Sequence, residues 1–142
     1  NKIKISDNNI NEISEKEYHE ILISRTTPYS PFDILENKSL LLENNFDNLN
    51  AIDWEKGCYV GQEITARMKY RSLLKKQIYT LKISSGNIQK GEFLLDKDLK
   101  IGEVISSSDQ YLLAMLKIEL AEKRKQNKIL LSTQNNGLVS FL

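Results

Sequence analysis

The segment Lys56-Gly57-Cys58-Tyr59-Val60-Gly61-Gln62-Glu63 places the chain's one cysteine between two glycines, with a lysine before it and a polar Gln-Glu pair after it. A thiolate is both a nucleophile and a metal ligand. Glycine carries no Cβ, so Gly57 and Gly61 can each take φ > 0 and let the backbone approach a ligand closely. If Gln62 opens a helix, Cys58 stands just before its N-terminus. There the helix dipole and Lys56 favour the thiolate and make the sulfur nucleophilic or metal-competent. The same residue also serves elsewhere as a small buried hydrophobe, since free cysteine is among the most buried residue types. The spacing is not that of a phosphate loop, which sets four residues between its first glycine and a Gly-Lys-Ser/Thr run.

Downstream, Arg67, Lys69, Arg71, Lys75 and Lys76 bring five cations and no acid. Such a stretch can hold an anionic tail through charge-assisted bonds, contact RNA phosphates, or form a solvated helix face. Trp54 and Tyr59 bracket the cysteine loop, as stacking surfaces for a flat ring or as core residues. His19 is the chain's one histidine, and no second one supports a metal site.

These residues need a frame. The chain has 142 residues, of which 40% are apolar and 27% charged, enough for one domain or two small ones with a buried core. A net charge of +1 gives no global field toward DNA or acidic membranes. No apolar run approaches the roughly 18–20 residues that span a bilayer. One cysteine excludes an internal disulfide and a multi-cysteine metal site within the chain. Asn1-Lys2-Ile3-Lys4-Ile5-Ser6 is polar, without the apolar stretch of a secretory leader. A reducing, cytoplasmic-type compartment is the expectation. Residues 1–20 read as the middle of something, so a piece of a longer protein is expected.

Periodicity predicts a helix over Glu12 to Ser24, with Ile13, Tyr18, Ile21 and Leu22 as its apolar side and Ser14-Glu15-Lys16-Glu17 near its start. Both prolines, Pro28 and Pro31, fall in a loop. Asn44 to Trp54 carries spaced apolar residues and predicts a short helix. A helical turn follows from Gln62 to about Lys69. After about residue 72 the texture changes to short β-type segments: Gln77–Ser84, with Tyr79, Leu81 and Ile83 on one face, then Glu92–Leu95, Lys100–Ser106, Tyr111–Ile118, Lys128–Thr133 and Gly137–Leu142. Turn residues such as Ser85-Gly86-Asn87 and Asn135-Asn136-Gly137 separate several of them. Regular short strands predict a small antiparallel barrel or sandwich. Glu119 to Gln126 is too charged for a strand and reads as a loop or single helical turn.

The KGCYxGQE pattern with the arginine-bearing stretch after it resembles the signature of the YgfZ-type folate-binding family, relatives of the glycine-cleavage T-protein. Glu43-Asn44-Asn45-Phe46-Asp47 is similar to that family's P-x-E-x-N-L-D segment, with Leu41 at the proline position. Asn50-Ala51-Ile52-Asp53-Trp54 is similar to its lead-in to the loop, and Ile101-Gly102-Glu103-Val104-Ile105-Ser106 to a G-x-V-x-S strand of its C-terminal barrel. In the run Ile21 to Pro28 the family proline is kept as Pro28, while Leu22 stands at an arginine position and Thr26 at a glycine position.

The resemblance implies an α+β fold. Residues 1–70 would be the C-terminal part of a T-protein-like folate-binding domain carrying the cysteine loop, and residues 71–142 a small antiparallel β-barrel. It implies tetrahydrofolate as ligand, with Glu43, Lys56, Gly57, Tyr59, Gly61, Gln62, Glu63 and Arg67 as binding residues. It implies a role in assembling or repairing iron–sulfur enzymes, with Cys58 as the acting thiol and iron–sulfur enzymes or their assembly proteins as partners. The compartment is then the cytoplasm, or the mitochondrial matrix in a eukaryote. The alternatives are an aminomethyltransferase-like one-carbon transferase, which needs a positioned carboxylate, and an RNA-binding barrel linked to tRNA modification. The net charge of +1 disfavours direct nucleic-acid binding.

Overall fold

A computed structural model describes residues 12–142. The polar stretch of residues 1–6 and the start of the first predicted domain lie outside the described residues. The elements run α1 (Glu15–Ser24), α2 (Gln62–Tyr70), β1 (Lys76–Ser85), β2 (Phe93–Asp96), β3 (Leu99–Ser107), β4 (Tyr111–Lys117), α3 (Ile118–Gln126), β5 (Leu131–Thr133) and β6 (Leu138–Phe141). The six strands close into an antiparallel barrel in the order β1-β4-β3-β2-β5-β6. Among the described residues, none before Lys76 is in a strand.

The barrel interior follows from period-two alternation. Leu81 on β1 and Leu112, Ala114 and Leu116 on β4 point to a common core with Leu94, Ile101, Val104, Leu131 and Val139, all fully or almost fully buried. Tyr79 and Ile83 pack against this core, as the alternation predicts. Gly102 on β3 sits opposite Leu116 on β4. A Cβ there would lie 2.3 Å from the Met115 carbonyl oxygen and 2.4 Å from Leu116 Cδ2, so the two strands meet at a point that admits only glycine.

β1 is also covered on its outer face, because the chain ahead of the barrel wraps it. Ile78 and Thr80 are buried there. The Ile78 N–H donates to the Glu43 carbonyl at 2.9 Å. The Thr80 hydroxyl spends its one proton on the Ile23 carbonyl at 2.6 Å, so at the 2.8 Å contact between the two threonines the Thr26 hydroxyl is the donor. Thr26 holds φ +53. That is a left-handed conformation costly for a β-branched residue and natural for glycine, the residue the resemblance expects at this position.

Three local expectations change. α1 starts at Glu15 behind a capping box: the Glu17 N–H donates to Ser14 Oγ at 3.2 Å and the Ser14 N–H to Glu17 Oε2 at 2.8 Å. Its buried residue is Ile23, while the predicted apolar residues Ile13, Tyr18 and Ile21 stay exposed. α1 meets β4 through the side bearing Ile23, and this turns Tyr18 and Ile21 outward. The span 44–54 is a run of turns to Asn50 followed by irregular chain rather than a helix, because Asn45 (φ +68) and Asn50 (φ +54) are left-handed and interrupt any helical run. The charged stretch 118–126 is a nine-residue helix, not a loop or single turn. α3 buries only Ala121 against the barrel core and ties Arg124 to Asp96.

Glu92 closes the turn before β2. It is buried, and its Oε1 accepts the Gln89 N–H at 2.8 Å. Burial pushes its carboxyl up, but the Gln89 N–H and the Thr133 and Asn135 side chains together hold it below the ordinary 4.5. A carboxylate with a lowered folded-state value stabilises above its unfolded value, and that stability is lost as pH falls through the folded value. Glu92→Gln should therefore cost about 1 kcal/mol at neutral pH. The gap to the parent should close below about pH 4.5, as urea melts across an acid series would record. An unchanged gap at low pH would contradict this.

Candidate functional site

The cysteine loop is mounted at both ends. On the incoming side, Asp53 Oδ1 accepts the N–H groups of Glu55 at 2.9 Å and Lys56 at 3.2 Å and turns the chain outward. On the outgoing side, the Gln62 N–H donates to the Tyr59 carbonyl at 3.1 Å. Gly61 caps α2 at φ +90, a conformation that favours glycine, and the Thr65 hydroxyl donates to the Gly61 carbonyl at 3.1 Å.

Asp47 ties the two sides together. Its Oδ1 accepts the Trp54 indole N–H at 2.8 Å, and Lys69 Nζ lies 3.2 Å from its Oδ2. Lys69 Nζ also sits 3.9 Å over the Trp54 ring, and Tyr70 meets that ring edge-on at 6.1 Å. One carboxylate therefore joins the chain before Cys58 to the helix after it. Thr65 and Met68 bury the inner side of α2.

Cys58 is exposed, with a free thiol, three residues before the Gly61 cap. The flanking glycines differ in role: Gly61 takes a positive φ and Gly57 does not. Lys56 Nζ is 4.4 Å over the Tyr59 ring. Arg67 NH2 pairs with Glu63 Oε1 at 2.6 Å along α2, on the solvent side. Of the five cations after the loop, Arg67, Lys69 and Lys76 are each in an ion pair, which leaves little of the stretch free for an anion or for RNA. Val60 is fully exposed, and so is more than half of Ile64, so the thiol projects beside apolar surface. Sequence reasoning passed over Val60, Ile64 and the mount Asp47. The first two are legible as apolar residues in a loop and an amphipathic turn that nothing else in the segment covers.

Glu43 is in a different place. It is buried, pairs with Lys76 Nζ at 3.3 Å, and lines a groove of about 580 Å³ between the 33–44 segment and strands β3 and β4. Asp33 lines the groove as well. It is buried, its Oδ2 accepts the Tyr29 N–H at 2.8 Å, and its Oδ1 has no partner. Lys38, Lys100 and Lys117 stand on the rim above an apolar wall that includes Ile105 and Met115. None of Lys56, Gly57, Cys58, Tyr59, Gly61, Gln62, Glu63 and Arg67 lines this groove. The predicted residues thus form two groups, an exposed thiol loop and a buried carboxylate groove. Among the described residues, no cluster of three or more His, Cys, Asp or Glu could hold a metal ion, and no helix is long and apolar enough to cross a membrane.

No protein-family model matches the chain. The chain is similar to the iron-sulfur cluster assembly factor IBA57 homolog, mitochondrial, of Neurospora crassa, with 42% identity over 64 residues, 45% of this chain and 15% of that protein. The Yarrowia lipolytica homolog is 32% identical over 77 residues, 54% of this chain and 16% of that protein. The mouse protein is 31% identical over 68 residues, 48% of this chain and 19% of that protein. The matched stretches are thus a small part of the relatives' own lengths. The chain is thus similar, over a C-terminal portion of their length, to proteins named as mitochondrial iron–sulfur cluster assembly factor IBA57.

Proposed function

We propose that this chain is part of an accessory factor for the assembly or repair of iron–sulfur proteins, and that Cys58 is the thiol it offers to a partner. The observation that carries the reading is an exposed, unpaired Cys58 on a loop fastened at both ends by Asp53 and Asp47. A fixed mount lowers the ordering cost of a contact made through one side chain. A cluster takes about four protein ligands. Cys58 supplies one sulfur, and the partner, an iron–sulfur enzyme or an assembly protein, supplies the rest. The relatives' names, which give cluster assembly and mitochondria, support the role and a matrix location in a eukaryote. Alkylation should reach Cys58 in the folded protein at a rate comparable to that in the unfolded chain. The alkylated protein should then fail to restore an iron–sulfur enzyme in a depleted extract. A sulfur protected until unfolding, or full restoration after alkylation, would overturn the reading.

Tetrahydrofolate is the proposed small-molecule ligand, and the Glu43 groove is the place whose chemistry fits it. Buried carboxylates at Glu43 and Asp33 are acceptors for the N–H groups of a pterin, and an unpartnered Asp33 Oδ1 leaves one such position open. Lys38 and Lys117, in no ion pair among the described residues, suit the carboxylates of its glutamate tail. When bound, tetrahydrofolate supplies a reduced pterin able to carry a one-carbon unit. Residues 1–70 then belong to the closing part of a T-protein-like domain. The exposed apolar residues Ile13, Tyr18, Ile21 and Leu49 support that placement, because such surface is ordinarily covered. Calorimetric titration should give a tetrahydrofolate affinity that Glu43→Gln lowers about tenfold. Equal affinities would remove Glu43 from the site.

A further inference from the structure

Two ion pairs join the same two stretches of chain, one pair at each candidate site. Glu43 Oε2 meets Lys76 Nζ at 3.3 Å in the groove, and Asp47 Oδ2 meets Lys69 Nζ at 3.2 Å at the thiol loop. The partners run in opposite order, 43 to 47 on one side and 76 to 69 on the other, so the pairs are successive rungs of one stem. Cys58 lies midway in sequence between Asp47 and Lys69, in the middle of the loop that the stem closes.

Both sides of the stem are hydrogen-bonded along their length. On the first, the Asn44 N–H donates to the Leu40 carbonyl at 3.1 Å, the Phe46 N–H to the Leu41 carbonyl at 3.2 Å, the Leu49 N–H to the Asn45 carbonyl at 3.1 Å and the Ala51 N–H to the Phe46 carbonyl at 2.9 Å. On the second, α2 carries Lys69, and the Leu73 N–H donates back to the Met68 carbonyl at 3.2 Å. The sides also meet directly, through the Ile78 N–H on the Glu43 carbonyl at 2.9 Å and the Gln77 side-chain amide on the Leu42 carbonyl at 3.4 Å. Turns bonded end to end carry a displacement onward instead of absorbing it. The groove rung is the one a ligand reaches. The Glu43 side chain is 10% exposed and that of Lys76 53%. A carboxylate so deep depends on its cation, whereas the lysine turns out to solvent at little cost. N–H donors that take the Glu43 carboxylate therefore compete with Lys76 for it.

We propose that the stem couples the two sites: a ligand that binds Glu43 through N–H donors weakens the Glu43–Lys76 rung, and the Asp47–Lys69 mount of the Cys58 loop loosens with it. Cys58 keeps its fixed pose while Lys76 stays on Glu43. By reciprocity, a partner seated on that pose lowers the affinity of the groove for its ligand. This regulation rests on the proposed function of the two sites, yet the coupling itself is read without a partner or an active extract.

Trp54 is the chain's only tryptophan and its indole N–H donates to Asp47, so its single indole N–H resonance in the whole chain reports the mount. Lys76→Gln, on an exposed side chain, should shift that resonance toward its position in Lys69→Gln, which opens the other rung directly, with the melting temperature unchanged. Glu43→Gln, which opens the groove rung from its buried side, should shift it in the same direction. Lys75 is in no ion pair among the described residues, and Lys75→Gln removes the same charge one residue away, so the resonance should stay still. Tetrahydrofolate is the probe for the groove. It should shift the resonance saturably, with the midpoint that calorimetry gives. A resonance unmoved by Lys76→Gln, or moved as far by Lys75→Gln, would overturn the coupling. So would tetrahydrofolate that binds by calorimetry and leaves the resonance still. A lack of calorimetric binding would instead remove tetrahydrofolate from the proposed function, and the lysine variants alone would then decide the coupling.

Discussion

Gly102→Val should destabilise the protein by about 3 kcal/mol, with a fall in melting temperature of roughly 10 °C. The reason is steric and cannot be relaxed by a rotamer change. The added Cβ would come within 2.3 Å of a backbone oxygen, Met115 O, and 3.1 Å of a backbone carbon, Leu116 Cα. Backbone on β4 moves only if its pairing with β1 moves, and those strands are in register from Lys76↔Lys117 to Lys82↔Tyr111. Alanine at the same position already carries that Cβ and should cost most of the same penalty. Melts of the two variants beside the parent would check this, and a valine variant within about 0.5 kcal/mol of the parent would show that the strands have room that the structure denies them.

The barrel was the legible part, and Gly102 shows why. Strand periodicity and turn chemistry are local. Tyr79, Leu81 and Ile83 alternate within one strand, and Asn136-Gly137 marks a hairpin without reference to anything distant. Hence Gln77–Ser84 was expected and Lys76–Ser85 is found, and the six expected strand segments correspond to six strands. What escaped depends on one residue's partner or one residue's φ. α3 shows a charged sequence because it buries only Ala121 fully and rests Leu120 against the core, so its helical burial leaves little apolar trace. The 44–54 helix fails on two left-handed asparagines, and for Asn45 the reason is tertiary: its side-chain amide donates to the Thr26 carbonyl at 3.0 Å, nineteen residues back.

The site divides in the same way. The glycine turn and the helix start at Gln62 could be read from spacing, and so could an accessible sulfur. That Lys56 would sit over Tyr59, that Arg67 would pair with Glu63, and that Asp47 would reach across twenty-two residues to Lys69 could not, because each is a choice among several equivalent local partners. The separation of Glu43 from the thiol loop was likewise invisible. Both belong to one linear stretch of signature residues, and only the wrap of that stretch around β1 parts them.

Cys58→Ala should leave stability within about 0.5 kcal/mol of the parent, because the side chain is exposed and alanine has little packing to lose. The Asp47 and Asp53 contacts that shape the loop involve neither the sulfur nor the Cys58 backbone. Function should respond in the opposite sense. If Cys58 is the chain's one offered sulfur, no neighbouring residue can replace it, since the chain holds no other cysteine and its one histidine lies on α1, far along the sequence. Serine should fail as alanine does, because a hydroxyl keeps the size and loses the soft ligand and the nucleophile.

The most direct measurement is rescue of a strain lacking this protein by the Cys58→Ala form, expressed at parental level and with a parental melting temperature, and read as the activity of iron–sulfur enzymes in the extract. A folded, abundant alanine protein that restores none of that activity is the result expected here. Restoration equal to the parent would mean that the exposed sulfur does not act in assembly or repair, and that this loop serves the protein by its shape alone.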